Sequence, residues 1–379
     1  MAAPSPDGGL TALRVPYSDH LVALLVRGEA AAGRIAGADP DRCAEVARRA
    51  RRATARSSAR LDASPLTDDT ASAVDARLAA GRAPVDHPPE VPTEQAPRQG
   101  WARALKLDGM QTQDVAAIEY ANLLAAHDAT AELAVDVFAR PLDVLRAAHG
   151  LLCNGLVDPD VVGRPRVTEQ AMHDGAQGLV IYHAPPAARL PGLLAELGDW
   201  LGEASAGLPA VVVAGIVQER ILRWLPYEAA NGRLARLAAR VVLCARGIDP
   251  QGIAVPEVLL AEDAVGYYGE IAATLRRRGD LGPWLERWAQ ASCTAFERAA
   301  ELVDPRPVPV LSPRAQALLE RLADGAAITV REHAEHDAVP REVALADLRG
   351  LERAGALRPD PRSRGLRWRR TTPRPDGHA

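Results

Sequence analysis

"RWLPYEAANGRLARLAARVV", residues 223–242, joins two helical patterns through a tight loop. Downstream of the loop, Leu234, Leu237, Ala238, Val241 and Val242 recur at the spacing of one helix face, and Gly247 before Asp249 and Pro250 supplies a stop. Upstream, "AVVVAGIVQERILRWL" (210–225) sets Val213, Val217 and Ile221 four apart. That spacing predicts a helix with those three residues buried and with Gln218, Glu219, Arg220 and Arg223 toward water. Pro226 ends it. The segment therefore reads as helix, tight loop, helix.

The second helix opens on arginines. Arg233 and Arg236 lie in or near its first turn and share a face with Arg240, although cations at a helix N-terminus oppose the macrodipole by roughly 0.3–1 kcal/mol each. A negative group is expected there to offset them. A loop whose free backbone N–H groups open a helix already cradles an anion, and two guanidinium forks beside it suit a polyphosphate. The residues leave a plainer alternative open, in which the arginines are solvated or paired with acids such as Glu228 and Asp62.

With 379 residues the chain is long enough for two or three units, each with its own core. Hydrophobic residues make up 47% and charged residues 25%, while aromatics reach only 4%, so Ala, Leu and Val carry the apolar content and favour helices. The net charge of -4 argues against a protein that coats polyanions. Cys43, Cys153, Cys244 and Cys293 match no metal-ligand spacing and are expected as buried free thiols. The sequence contains no run of about eighteen apolar residues, and "MAAPSPDGGL" has neither a basic nor an apolar leader region. A cytoplasmic location without a membrane partner is the expectation.

Residues 10–62 read as helices, and the Pro-rich, polar stretch 67–99 as a long linker or loop. Residues 101 to about 305 are mostly helical in pattern, apart from "GLVIYHAPP" (178–186), whose β-branched and aromatic residues run into a Pro-Pro stop, as in a short strand or hairpin arm. A second Pro-rich break falls near residue 310. The expected division is 1–95, 96–308 and 309–379.

Residues 225–236 resemble the signature of the Fic (Fido) family, H-x-F-x-[DE]-G-N-[GK]-R-x-x-R, matching at Asn231, Gly232, Arg233 and Arg236, with Pro226 and the aromatic Tyr227 also in place. Two further segments agree in order and spacing, so the resemblance spans roughly residues 50–270. It implies a mainly α fold, a helical core carrying a short β-hairpin flap. Val180, Ile181 and Tyr182 would lie in that flap, which aligns a target protein's chain by strand addition. Residues 58–63 resemble the family's autoinhibitory motif [ST]-x-x-x-E-[GN]; Ser58 would open it, and Asp62, one methylene shorter than the family's glutamate, would pair with Arg236 and keep the ATP γ-phosphate from docking. Ala63 stands where the family has a Gly or Asn.

Family members typically transfer AMP from ATP to a hydroxyl of a target protein. The resemblance therefore implies ATP as the candidate nucleotide, held by Ala230, Asn231, Gly232, Arg233 and Arg236. Two parts of the chemistry are missing. Leu225 stands at the position of the catalytic histidine and Ala229 at that of the acidic residue that holds Mg²⁺, while Ala230 replaces a glycine of the anion loop. Glu228, one position early, is the remaining candidate metal ligand. Losing a general base typically forfeits about 10²–10⁴ in rate. The expectation is a relative of the protein adenylyltransferases with activity absent or strongly attenuated. An active transferase with a displaced base, His173 or His183 beside the flap, is the alternative; Tyr227, with an ordinary pKa near ~10, would be a poor base.

In the C-terminal stretch, "VPREVALADLRGLERAGAL" (339–357) resembles the third helix of a winged-helix domain, with a wing after it. Arg358, Arg362, Arg364, Arg367, Arg369 and Arg370 face only Asp360 in that stretch, and Trp368 is interleaved, which suits contact with a phosphate backbone. Mixed charge on the preceding helix, from Arg341, Glu342, Asp347 and Arg349, suits base reading poorly. DNA binding and protein interaction, including a homodimer, both stay open. His333 and His336 on a polar helix are expected to be solvated rather than metal-bound.

Overall fold

Side-chain caps start the first helices where the sequence provides them. Ser18 accepts from the Leu21 amide to open α1 (Asp19–Ala36), and Asp39 accepts from Arg42 to open α2 (Pro40–Leu61), with Pro40 in the first turn. The computed structural model describes residues 10, 13–86, 112–157, 159–173, 179–277, 279–304, 311–360 and 366–371. These belong to two compact units, Met1–Asp304 and Pro305–Ala379.

The stretch expected as a linker contains a helix, α3 (Asp68–Ala79). Thr67 caps it, Asp68 and Asp69 sit in its first turn, and Ala71 and Val74 are buried. Its polar residues are the solvent side of an amphipathic helix, a pattern that composition alone hides. Residues 87–111 lie outside the described part.

The first unit continues with α4 (Thr112–Asp128), α5 (Thr130–Asp136) and α6 (Pro141–Cys153). A two-stranded antiparallel hairpin follows, β1 (Ala171–His173) and β2 (Val180–His183), with Ala171 opposite His183 and Met172 opposite Tyr182. Then come α7 (Leu190–Asp199), which runs into a π-helical turn at Trp200–Ala204, and the central pair α8 (Ala210–Trp224) and α9 (Asn231–Ala245). The unit closes with α10 (Pro256–Glu262), α11 (Ala264–Arg276) and α12 (Gly282–Val303). Its architecture is mainly α with one short hairpin, as the sequence implies. Among the described residues no helix is long and apolar enough to cross a membrane.

Helix α8 is the hub, packed on α9, α11 and α12. Trp284 and Trp288 donate their indole N–H groups to the carbonyls of Gly215 and Val211, both at 2.8 Å. Gly215 is required there because a Cβ would sit 2.5 Å from the Trp288 ring. The expectation that the polar face of α8 meets water is wrong: Gln218, Glu219, Arg220 and Arg223 are all buried. Glu219 pairs with Arg220 and with Arg223 and accepts from Thr274 at 3.0 Å, while Gln218 donates to the Tyr267 hydroxyl at 2.8 Å. Periodicity identifies the apolar face; it does not tell whether a neighbouring helix covers the other one with polar partners.

The second unit consists of α13 (Pro313–Arg321), β3 (Ala327–Thr329), α14 (Val330–His336), α15 (Arg341–Arg353), β4 (Leu357–Pro359) and β5 (Arg367–Arg370), with strand order β3-β5-β4. Leu318, Leu348, Leu351, Leu357 and Trp368 form its core. His333 is not solvated as expected. It is fully buried, with Nδ1 3.0 Å from Asp337 and Nε2 3.3 Å from Asp347, and it ties α14 to α15. His336 stays exposed. Three cysteines are buried free thiols, and Cys244 is half-buried.

Candidate functional site

The loop between α8 and α9 is bounded by two residues in the left-handed region, Leu225 (φ 45°) and Ala230 (φ 58°). Neither is glycine, so each carries strain of about 1–2 kcal/mol. Asn231 braces the loop from inside: its Nδ2 donates to the Tyr227 carbonyl at 2.7 Å and its Oδ1 accepts from the Tyr227 amide at 3.0 Å. Arg166 braces it from outside. This buried guanidinium donates to the carbonyls of Leu225, Trp224, Pro185 and Thr168 and so satisfies the open end of α8 while fastening it to the base of the hairpin. The Leu225 side chain is buried, an apolar plug where a proton-transferring group was sought.

Glu228 does not face the arginines. Its carboxylate accepts from the amides of Val167 (3.0 Å) and Thr168 (3.3 Å), from the Thr168 hydroxyl (2.6 Å) and from Gln170 Nε2 (3.4 Å), all on the segment that leads into the hairpin. Among the described residues no group of three or more His, Cys, Asp or Glu is placed to hold a metal ion.

A histidine that sequence reasoning passed over lies under the loop. His149 on α6 is buried and stacks on Tyr227 with ring centroids 4.5 Å apart. Its Nδ1 accepts from the Gly163 amide at 3.0 Å, which leaves the proton on Nε2, 3.2 Å from the Ala229 carbonyl. Burial pushes its pKa down to about 4. His149 is therefore a neutral brace with both nitrogens engaged. Burial pushes the Tyr227 phenol up to about 12, which removes it as a base at neutral pH. His173 and His183 are on the hairpin and exposed.

The arginines converge on an internal carboxylate. Arg236 donates from Nε to the Ser58 hydroxyl (2.8 Å) and from Nη2 to the Ser58 carbonyl (2.8 Å) and to Asp62 Oδ1 (2.7 Å). The Tyr268 hydroxyl donates to the same Asp62 oxygen at 3.1 Å. The other Asp62 oxygen lies 3.4 Å from Arg233 Nε. Burial pulls the Arg236 pKa down, yet the adjacent Asp62 charge outweighs it and holds the guanidinium well above its usual value. Arg233 also pairs through Nη1 with Glu119, a buried acid on α4 that accepts from the Ser64 hydroxyl at 2.9 Å. Arg233 is thus ion-paired on two sides, with Asp62 at Nε and with Glu119 at Nη1.

Asp62 also sits on the helix N-terminus itself. A Cβ at Gly232, the second residue of α9, would lie 2.4 Å from Asp62 Oδ1, so only glycine admits the carboxylate. The acid caps the C-terminal end of α2, and the next residue, Ala63, is left-handed at φ 55°. Arg240 belongs elsewhere; it pairs with Glu257 at 2.9 Å and donates to Thr54 and to the Ala254 carbonyl.

Of the two acids suggested for the arginines, the structure brings Asp62 to them and sends Glu228 to the hairpin. Glu119 was missed, although its place as the lone acid in "VAAIEYANLLAA" (115–126) marks a buried charge in need of a partner. In the hairpin Val180 is exposed, Ile181 is half-buried, and Tyr182 turns inward to donate its hydroxyl to the Leu222 carbonyl at 2.5 Å. In the second unit, Arg367, Arg369 and Arg370 each pair with an acid, Glu332, Asp360 and Asp324. Arg362 and Arg364 lie outside the described residues.

No family model and no curated protein matches the chain. Solved structures do. A Fic family protein from Desulfovibrio desulfuricans is 22% identical over 97% of this chain and 100% of its own, with a TM-score of 0.58. A Fic domain containing signaling protein from Bacteroides thetaiotaomicron is 15% identical over 76% and 98%, with a TM-score of 0.52. A variant of a Fic-1 fragment from C. elegans is 17% identical over 73% and 71%, with a TM-score of 0.51. The fold is the Fic/Fido fold.

Proposed function

We propose that this Fic/Fido-fold protein binds a nucleotide polyphosphate, with ATP the candidate, at the N-terminus of α9, keeps that site closed with Asp62, and transfers AMP weakly or not at all. One observation carries the reading. The Asp62 carboxylate lies against Gly232 at a helix N-terminus and contacts both Arg233 and Arg236, so an internal anion occupies the place that helix dipole and guanidinium forks prepare for a phosphate. The left-handed Ala230 before it turns the backbone into the first turn of α9.

Binding and chemistry separate at the loop. Ser58 and Asp62 would have to leave Arg236 before a phosphate oxygen could take its Nε and Nη2 donors. At the loop a target hydroxyl would find no proton acceptor among the described residues, because Leu225 has no lone pair and both His149 nitrogens are engaged; the exposed His173 and His183 on the hairpin are the alternative bases. Among the described loop residues none offers Mg²⁺ a free carboxylate: Ala229 has none, and Glu228 is held by residues 167–170. The second unit, with its helix, strand, two helices and hairpin, follows the order of a winged helix and is read as an interaction module.

Incubation with labelled ATP and Mg²⁺ tests the separation. In an Asp62→Asn background the chain should stay unlabelled, and adding Leu225→His, Ala229→Asp and Ala230→Gly should give labelled protein. Labelling of the parent would sink the claim of lost chemistry. Absence of both labelling and ATP binding in every form would sink the nucleotide site.

A further inference from the structure

Two acids, not one, neutralise the two arginines, and they are anchored very differently. Asp62 is at a helix end, with its side chain 12% exposed, beside a strained left-handed alanine. Glu119 is 1% exposed in the middle of α4, between the buried residues Ile118 and Tyr120. It is clamped on one oxygen by Ser64 and paired through the other with Arg233. Asp62 lies at the end of α2, where a change of side-chain rotamer takes its carboxylate off the arginines; Glu119 could leave only by disrupting a packed helix.

We infer that Glu119 is a specificity-determining residue of the phosphate site: it cancels the charge of Arg233 even when Asp62 is displaced, so that the site takes nucleoside diphosphates and triphosphates alike. The inference rests on the nucleotide reading above. With both acids in place, the two guanidiniums face two carboxylates among the described residues, and the four charges cancel. Displacing Asp62 exposes one uncompensated positive charge. A phosphate chain extended beyond the helix N-terminus gains from each further phosphate only where a free cation meets it, and Glu119 removes the second such cation. The pair is buried on both sides, so its attraction is little screened by water. The neutralisation is electrostatic, and removing the Glu119 charge should reverse it.

The test is titration calorimetry of ADP and ATP against Asp62→Asn and against Asp62→Asn with Glu119→Gln. Glutamine keeps the shape, with its carbonyl oxygen toward Arg233 and its amide N–H donating to the Ser64 hydroxyl. The single variant should bind ADP and ATP within threefold of each other, and the double variant should prefer ATP by tenfold or more. A tenfold ATP preference already present in Asp62→Asn, or a ratio unchanged by Glu119→Gln, would overturn the inference while leaving the nucleotide site standing. Binding of neither nucleotide to either folded variant would overturn the site itself and the inference with it. If circular dichroism shows that the double variant does not fold, a tenfold ATP preference in Asp62→Asn alone still overturns the inference.

Discussion

Leu225 and Ala230 show what the loop gave up. A leucine buried at φ 45° and an alanine at φ 58° hold a backbone path that glycine or asparagine would adopt at lower cost. The same holds for Ala63 beside the internal acid. Ala63→Gly should therefore raise stability by about 0.5–1 kcal/mol, left-handed relief exceeding glycine's added unfolded-state entropy, and a urea midpoint would show it. A drop in the midpoint would mean that the alanine methyl packs better than its backbone suffers. His149 makes a second prediction. Its folded pKa of about 4 is below the unfolded 6.5, so the unfolded chain takes up the proton first as pH falls, and stability is lost between pH 6.5 and 4. The loss amounts to about 3 kcal/mol in that window. Denaturation from pH 7 to 4 should show the slope in the parent and a flatter one in His149→Gln. The alanines at 63 and 230 were legible as departures from glycine or asparagine, but the role of His149 was not, because it is eighty residues from the carbonyl it supports and its environment exists only in the fold.

At the scale of elements, the sequence revealed α9 and the apolar face of α8 because both repeat at helical spacing. It misled on α3, where polar composition concealed a capped amphipathic helix, and on the outer face of α8, where polar residues proved to be buried partners. The hairpin was legible from its β-branched run and Pro-Pro stop; its fastening was not. Arg166 does that through carbonyls on four residues, and a side chain bonded only to backbone leaves no mark in residue patterns. Arg166→Ala should destabilise the first unit by roughly 3–5 kcal/mol, since several buried carbonyls lose their donor at once. Hydrogen exchange should show the loss concentrated at 171–183 and 224–227. Uniform change across α1 and α12 would contradict the role of this arginine as the link between hairpin and loop.

For the whole molecule, the order of helices, hairpin and central helix pair is what the resemblance to the Fic family implied, and the solved structures that the chain matches share that fold. The second unit tells a more guarded story about charge. Its arginine cluster looked free in the sequence, yet Arg367, Arg369 and Arg370 are each paired within the unit, which leaves the nucleic-acid alternative to Arg358, Arg362 and Arg364. Any duplex binding through those three should lose affinity with salt at a log–log slope no steeper than about −3. A slope near −6 would mean that the ion pairs open on contact and would revive the wider basic surface.

The closed phosphate site itself is best tested by titrating ATP into three forms: the parent, Asp62→Asn, and Asp62→Asn with Arg236→Ala. Asp62→Asn should bind at least tenfold more tightly than the parent, and Arg236→Ala should abolish that gain. Equal affinity in the parent and Asp62→Asn, or a gain that survives Arg236→Ala, would mean that the carboxylate at the α9 N-terminus guards no nucleotide.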